Sequence, residues 1–250
     1  MKFTIITVCY NAQTDISKTI QSVLGQTYAD FQYIIKDGQS TDDTLQIVQA
    51  LAGRDERVVI ESSKDNGIYD AMNQAIQMAE GEYLFFLNAG DCFHSMDVLA
   101  KIGRQLDIEK RDILYGDIVC VSENHSYVNK YRNIYRYRWI YLLGACICHQ
   151  AMFAKKELFD EKLFDTKYRI CADRDWQLYY LKKGASFKTV KFTVADVLVD
   201  GFSLQNVEVF EREAGECLKK HYPKSAWIYV MLNKVKKNGM TQKLLNAIRH

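Results

Sequence analysis

Residues 3–11 read Phe3-Thr4-Ile5-Ile6-Thr7-Val8-Cys9-Tyr10-Asn11, a run of β-branched and apolar residues that breaks off at an aromatic and an amide. A nearly continuous run of this kind, rather than an alternating one, predicts a strand buried on both faces. Behind Thr14 and Asp15, Ile16, Ile20, Val23 and Leu24 recur at helical spacing, so a helix follows the strand. The pair then repeats. Residues 31–35 predict a second strand that runs out at Asp37-Gly38, and Ser40 and Thr41 precede a helix carrying Leu45, Val48 and Leu51. Residues 58–61 predict a third strand; Ile68, Met72, Ala75, Ile76 and Ala79 mark a helix stopped at Gly81; residues 83–87 are a fourth, fully apolar strand. This alternation implies right-handed crossovers and a mostly parallel α/β sheet flanked by helices.

The second half is less regular. Ile113–Val121 and residues 126–132 predict an antiparallel hairpin around Glu123-Asn124-His125. A basic aromatic stretch over 130–139 comes next, then a buried strand around 145–153 and a helix near 173–182 ended by Gly184. Beyond about Asn206 the chain is helical and polar, with an apolar patch over 227–232. The expected organisation is one domain over 1–205, divided near residue 112, with a helical appendage over 206–250.

The 250 residues are 48% hydrophobic and 26% charged, ordinary globular usage that excludes a disordered or fibrous chain. Lys plus Arg is 33 and Asp plus Glu is 31, so the net charge of +2 argues against a nucleic-acid binder. No apolar run reaches the roughly 18–20 residues that span a bilayer, and the N-terminus does not read as a signal peptide. We therefore expect a soluble, unexported, cytoplasmic protein. Its seven cysteines lack metal-site spacing and are expected to be reduced.

In an open α/β sheet, ligands bind outside the carboxyl ends of the strands. Thr7-Val8-Cys9-Tyr10-Asn11, Asp37-Gly38-Gln39-Ser40, Ser62-Ser63-Lys64-Asp65-Asn66 and Asn88-Ala89-Gly90-Asp91 follow the four strands in turn, so polar groups converge on one edge. Helix capping explains any one of them singly, and four together point to a ligand site.

Those segments, with Asp65-Asn66-Gly67-Ile68-Tyr69-Asp70-Ala71-Met72-Asn73 and 81–91, resemble family 2 glycosyltransferases in order and spacing over roughly residues 3–203. The subgroup they most resemble builds bacterial surface polysaccharides such as capsule and lipopolysaccharide. The resemblance implies the A-type glycosyltransferase fold, with a nucleotide-sugar half over 1–112 and a smaller, partly antiparallel acceptor half over 113–205. It implies an inverting transfer from a nucleotide-diphosphate sugar, UDP favoured, to a hydroxyl of a lipid-linked glycan. Thr7, Val8, Tyr10, Asn11, Asp37, Gly38, Asp65, Gly67, Asn73, Asn88 and Ala89 are then the expected donor-binding residues. The residue chemistry agrees at Asp37, whose carboxylate can accept a base imide N–H, and at Gly38, which permits close approach. Asn73 sits at a helical spacing that turns it towards the edge shared by Tyr69 and Asp70, with a plain helix-surface position as its alternative.

Asn88-Ala89-Gly90-Asp91 occupies the place of the family's Asp-x-Asp metal motif but departs from it, with Asn first and Gly third. Asp91 remains as the expected ligand of Mg²⁺ or Mn²⁺, with diphosphate oxygens and water completing the shell; its alternative is a helix cap before 96–106. Cys171-Ala172-Asp173-Arg174-Asp175-Trp176 resembles the family's acidic pair followed by an aromatic, which makes Asp173 the expected catalytic base, with Ala172 where a Glu is usual. A helix N-cap is the alternative for Asp173. His149 and Gln150, read as a strand end, and Asp175 are expected on the acceptor side, and His149 could also reach the metal. Asp200-Gly201-Phe202-Ser203 resembles the turn that closes the site.

Two other readings stay open on the residues. A sugar-phosphate nucleotidyltransferase would want a Gly-rich loop and a basic residue after the first strand, where Cys9-Tyr10-Asn11 stands. A non-catalytic nucleotide-sugar-binding subunit is motivated by Asn88 and Ala172. Gly-x-Gly-x-x-Gly and Gly-Lys-Ser/Thr after a strand are both absent, which excludes dehydrogenase and P-loop chemistry. Finally, residues 130–139 and Trp227, Ile228, Met231, Leu232, Lys234, Lys236 and Lys237 combine apolar faces with basic rims, as a peripheral contact on the inner, anionic face of a membrane would. Core packing with a solvated rim is the alternative.

Overall fold

The first strand lies at the centre of what it organises. In a computed structural model that describes residues 1–122, 125–138, 141, 146–198 and 206–229, β1 (Phe3–Cys9) is buried along its whole length. It pairs in parallel with β2 (Phe31–Asp37) on one side and β4 (Tyr83–Phe86) on the other, and β2 pairs with β3 (Val58–Ser62). The helices α1 (Ile16–Leu24), α2 (Thr44–Ala52) and α3 (Ile68–Ile76) connect these strands. In α1, Ile16, Thr19, Ile20 and Val23 are the buried positions, the stripe that the sequence spacing requires.

The sheet continues through the second half. Its order is β3-β2-β1-β4-β8-β6-β9-β5, with β7 beside β6. Here β5 is Cys92–Phe93, β6 is Ile113–Val121, β7 is Ser126–Asn129, β8 is Met152–Lys155 and β9 is Phe187–Leu198. β1 to β4, β6 and β9 run one way; β5, β7 and β8 run the other. The remaining helices are α4 (Val98–Ile108), α5 (Lys156–Glu161), α6 (Ala172–Lys183) and α7 (Val207–His221). Phe85 of β4 stacks on Phe93 and Phe153, at ring separations of 5.0 and 4.2 Å, and so joins the core of the two halves. This is the A-type glycosyltransferase architecture.

One expected strand is displaced. The run 145–153 begins outside the described residues, and its described part is not a strand until Met152. The backbone N–H of Ile147 donates to the Gln177 side chain at 3.2 Å, and the Gln177 amide donates back to the Ile147 carbonyl, so a side chain takes the bonds a neighbouring strand would. His149–Ala151 then form a 3-10 turn that feeds β8. His149 and Gln150 therefore precede a strand rather than end one. The hairpin forms as read, with Val121 opposite Ser126 and Ile118 opposite Asn129. Glu123-Asn124, Trp139, Asp200-Gly201-Phe202-Ser203, and Met231, Leu232, Lys234, Lys236 and Lys237 lie outside the described residues. All seven cysteines are free.

Candidate active site

The carboxyl edge of β1 and β2 is a latched pair of turns. Thr7 is buried and stitches strands behind the edge, donating to the Leu87 carbonyl at 2.7 Å and bonding the Tyr33 hydroxyl at 3.0 Å. The Val8 carbonyl accepts from the Ala89 N–H at 3.3 Å, which holds the turn after β4 against β1. Tyr10 beyond them is exposed. Asn11, at φ +49°, turns its side-chain oxygen to the Thr41 N–H at 2.9 Å, while its own N–H donates to the Ser40 hydroxyl.

Asp37 is fully buried. Its carboxylate accepts from the Ser40 N–H and hydroxyl and from the Ser62 hydroxyl at 2.6 Å. A Cβ on Gly38 would fall 2.6 Å from Asp65 Oδ2, so the close approach that glycine permits here is to a side chain of the same edge. Asp65 Oδ1 accepts from the Gly67 N–H at 2.9 Å, and Gly67 starts α3 at φ +119°. Beneath them sits Lys36, fully buried, with Nζ donating to the Asp37 carbonyl at 2.9 Å and to the Ser63 carbonyl, and 3.9 Å from Asp65 Oδ2. Sequence reasoning missed it, although a lone cation inside the apolar run of β2 was the available signal.

Asn73 does not offer its amide to this edge. Both of its polar atoms are used by the Phe164 backbone, at 2.9 and 3.1 Å, and the neighbouring Tyr69 hydroxyl donates to the Ile170 carbonyl at 2.6 Å. The α3 face thus joins the first half of the sheet to the loop before α6.

Asp91 is buried, and burial pushes its carboxyl up to about 6. Its oxygens accept from the Leu198 N–H at 2.9 Å and the Gln150 amide at 3.1 Å, and Asp97, not Asp91, starts α4. Gly90 takes φ +102°, a conformation that a carboxylate-bearing residue rarely adopts, which is a backbone reason for the departure from an acidic third position. Among the described residues no three His, Cys, Asp or Glu side chains form a metal cage. The donors still fit a hard cation. Among the described residues the buried Asp91 carboxylate lacks a neighbouring cation close enough to offset its desolvation, and the Asn88 side-chain oxygen is buried with no hydrogen-bond partner. Mg²⁺ is commonly held by one or two carboxylates plus substrate phosphates.

From Asn88 a chain of contacts crosses to the second half. Its amide nitrogen lies 2.9 Å from His149 Nε2, and His149 Nδ1 faces Asp173 Oδ2 at 3.4 Å. With the amide as donor, Nε2 accepts and the ring proton sits on Nδ1, towards Asp173. Asp173 Oδ1 accepts from the Arg174 N–H at 2.7 Å. The N-cap position of α6 is Cys171, so Asp173 is a first-turn acid and not the cap.

Asp175, expected on the acceptor side, is engaged by α7 and by Lys162. It is fully buried and bonds His221 Nε2 at 2.8 Å, with Lys220 and Lys162 ammonium groups at 3.0 and 3.1 Å. Burial alone would raise its pKa, but the His221 hydrogen bond, then Lys220 and Lys162, hold it well below the usual carboxylate range. Glu213 of α7 is a second acid that sequence reasoning missed. It is buried and accepts from the Arg169, Ile170 and Cys171 N–H groups. Its spacing with Phe210, Ala214 and Cys217 on one helical face was the signal.

Comparison with known proteins adds four findings. The family described as Glycosyl transferase family 2 matches residues 4–172. A PGL/p-HBAD biosynthesis glycosyltransferase of Mycobacterium bovis is 34% identical over 179 residues, covering 70% of this chain and 68% of that protein. The Escherichia coli UDP-Glc:alpha-D-GlcNAc-diphosphoundecaprenol beta-1,3-glucosyltransferase WfaP is 36% identical over 127 residues, 50% of this chain and 46% of its own. Among solved structures, Staphylococcus aureus TarS 1-349 in complex with UDP-GlcNAc superposes with a TM-score of 0.70 at 18% identity, covering 89% of this chain and 68% of that one.

Proposed function

The chain belongs to glycosyl transferase family 2, and on that premise we propose that it transfers a sugar, with inversion, from a UDP-sugar to a hydroxyl of a lipid-linked glycan in cell-surface glycan synthesis. That it is a glycosyltransferase follows from the family; the donor, acceptor and stereochemistry are our reading. The observation that carries the reading is the Asn88–His149–Asp173 chain, which joins the donor edge to a lightly bonded carboxylate on α6. The name of the E. coli relative supports a UDP-sugar and a diphosphate-lipid acceptor.

In this mechanism the turns after β1, β2 and β3 hold the nucleoside, with Asp37 and Asp65 fixed by their own neighbours before any ligand arrives. Tyr10, exposed at the rim, offers a face to the donor. Asp173 accepts the proton of the acceptor hydroxyl while that oxygen forms its bond to the anomeric carbon. The bond from that carbon to the nucleoside diphosphate breaks on the opposite face. His149, donating from Nδ1, orients Asp173, and its Nε2 is held by Asn88. Asp91, with the Asn88 oxygen, would hold Mg²⁺ or Mn²⁺, which when bound supplies positive charge against the diphosphate leaving group.

Peripheral membrane contact belongs to the same reading. No described helix is long and apolar enough to cross a membrane. Tyr135, Trp227 and Ile228 are exposed, and Arg138 lies over the Tyr222 ring and donates to its hydroxyl at 3.1 Å. Sedimentation with anionic vesicles at low and moderate salt tests this; failure to bind at either removes it.

The transfer itself is tested with a panel of nucleotide sugars and Mg²⁺ or Mn²⁺. A donor that raises the melting temperature is then incubated with lipid-linked acceptors, and the product anomer is read by NMR. Retention of configuration, or a non-UDP donor as the best substrate, overturns the corresponding part.

A further inference from the structure

The chain on either side of Asp173 is clamped from one element that lies outside the family match. On the N-terminal side, Glu213 of α7 gathers three consecutive N–H groups, Arg169 at 3.0 Å, Ile170 at 2.9 Å and Cys171 at 3.1 Å. On the C-terminal side, His221 at the far end of α7 bonds Asp175 at 2.8 Å, with Lys220 beside it. Between the clamps, Cys217 donates its thiol to the Cys171 carbonyl at 3.6 Å, and the Cys171 thiol donates to the Phe210 carbonyl at 3.7 Å.

The need for such a clamp is local. Cys171, at the N-cap of α6, makes no side-chain capping hydrogen bond, and the N–H groups of 169–171 that lead into the helix are taken up by Glu213. A buried carboxylate is a strong acceptor for several N–H groups, and the positive end of the helix dipole favours it there. Among the described residues, by contrast, the Asp173 carboxylate has one backbone donor and one 3.4 Å contact with His149. Its own contacts leave it loosely held, so its direction follows from where 169–171 and Asp175 are pinned.

We propose that Glu213 is a positioning residue for sugar transfer, assisted by His221, and that these two side chains of α7 aim the Asp173 carboxylate at the acceptor hydroxyl. The proposal rests on Asp173 being the base. A base displaced by about 1 Å loses up to about 100-fold in rate while leaving donor binding intact.

The test compares four variants of the full chain by kcat, donor KM, nucleotide Kd and melting temperature. Glu213→Gln, which keeps size but gives up part of the acceptor set, should lower kcat about 10- to 100-fold with donor KM and nucleotide Kd within about twofold of wild type. His221→Gln should lower kcat in the same direction and by less, and it decides the matter if Glu213→Gln does not fold. Leu218→Ala, fully buried on the same helix but in neither clamp, should lower the melting temperature and keep kcat. Asp173→Asn separates the two readings. If it loses turnover while Glu213→Gln and His221→Gln keep theirs, positioning by α7 is wrong and the base stands. If it retains turnover, the base assignment fails and the positioning role falls with it. Equal losses of kcat in Glu213→Gln and Leu218→Ala, tracking stability, would reduce Glu213 to a structural residue.

Discussion

The end of β2 and the start of α6 both bury carboxylates, and they hold them by opposite means. Asp37 is satisfied from nearby, by Ser40 three residues on and Ser62 at the end of the neighbouring strand. Asp175 is satisfied from afar, by Lys162 on one side and by Lys220 and His221 of α7 on the other. Asp173 meets His149 from a turn before β8. The edge after β1 to β3 is thus built by a local rhythm of strand, turn and helix, whereas the arrangement at the start of α6 exists only once distant elements have docked. The first kind of site is prepared by its own turns; the second depends on the stability of the packing around it.

The strongest way to break that contrast is at Asp175. Asp175→Asn leaves the Lys220 and Lys162 ammonium groups facing a neutral amide and weakens the His221 contact, and losing one partner of a buried pair costs about 3–5 kcal/mol. Chemical denaturation should show that loss together with weaker docking of α7. The sign with pH follows from the depressed pKa. The contribution is present above the ordinary carboxylate pKa and is lost as pH falls through the folded one, so wild type and variant converge in acid. A difference that persists unchanged below pH 3 would place the loss elsewhere.

Asp173→Asn comes next. Its fold and donor affinity should be kept, because its contacts are few, while turnover falls at least about 100-fold, the low end for removing a general base. Near-normal turnover would move the base to His149, since Asp175 is already committed to Lys162, Lys220 and His221.

The same contrast explains what could be read in advance. The strands and helices of the first half are legible because burial on both faces writes itself as β-branched runs, and each turn uses residues within a few positions. Asp37, Gly38 and Asp65 accordingly lie together at the ends of their strands, as the strand rhythm predicts, and Asp91 follows β4. What sequence order could not express was partnership at a distance. Gln177 replaces a strand for Ile147, Asn73 serves Phe164, Asp175 serves α7, and Glu213 governs a loop more than forty residues before it. In each case the deciding bond joins elements whose docking is a property of the whole core.

Asp37→Ala sharpens the local side of the comparison. Ser40 and Ser62 lose their acceptor, and a buried donor left unsatisfied costs about 1–3 kcal/mol. Nucleotide affinity should fall by a similar amount, and the two losses should appear together because one carboxylate organises the turn. Unchanged nucleotide affinity in a folded variant would leave Asp37 a turn-former only.

The smallest effect lies where the two edges meet, at Asp91. Burial raises its carboxyl to about 6 from an ordinary value of 3.8. A raised folded pKa means that the group's contribution to stability is fully present below about 4 and is lost as pH rises through about 6. A rise of that size corresponds to about 3 kcal/mol at most. Asp91→Asn removes that penalty but gives up one accepted hydrogen bond, worth about 0.5–1.5 kcal/mol. In metal-free protein the variant should therefore be more stable than wild type by about 1–2 kcal/mol at pH 7.5, and the order should reverse near pH 4, where only the lost hydrogen bond of about 0.5–1.5 kcal/mol remains. With nucleotide sugar present, Mg²⁺ or Mn²⁺ should raise the melting temperature of wild type and leave the variant where it was. A cation response of equal size in both would remove Asp91 from the metal site, and a metal-free variant less stable than wild type at pH 7.5 would show that the carboxylate is held by more than Leu198 and Gln150.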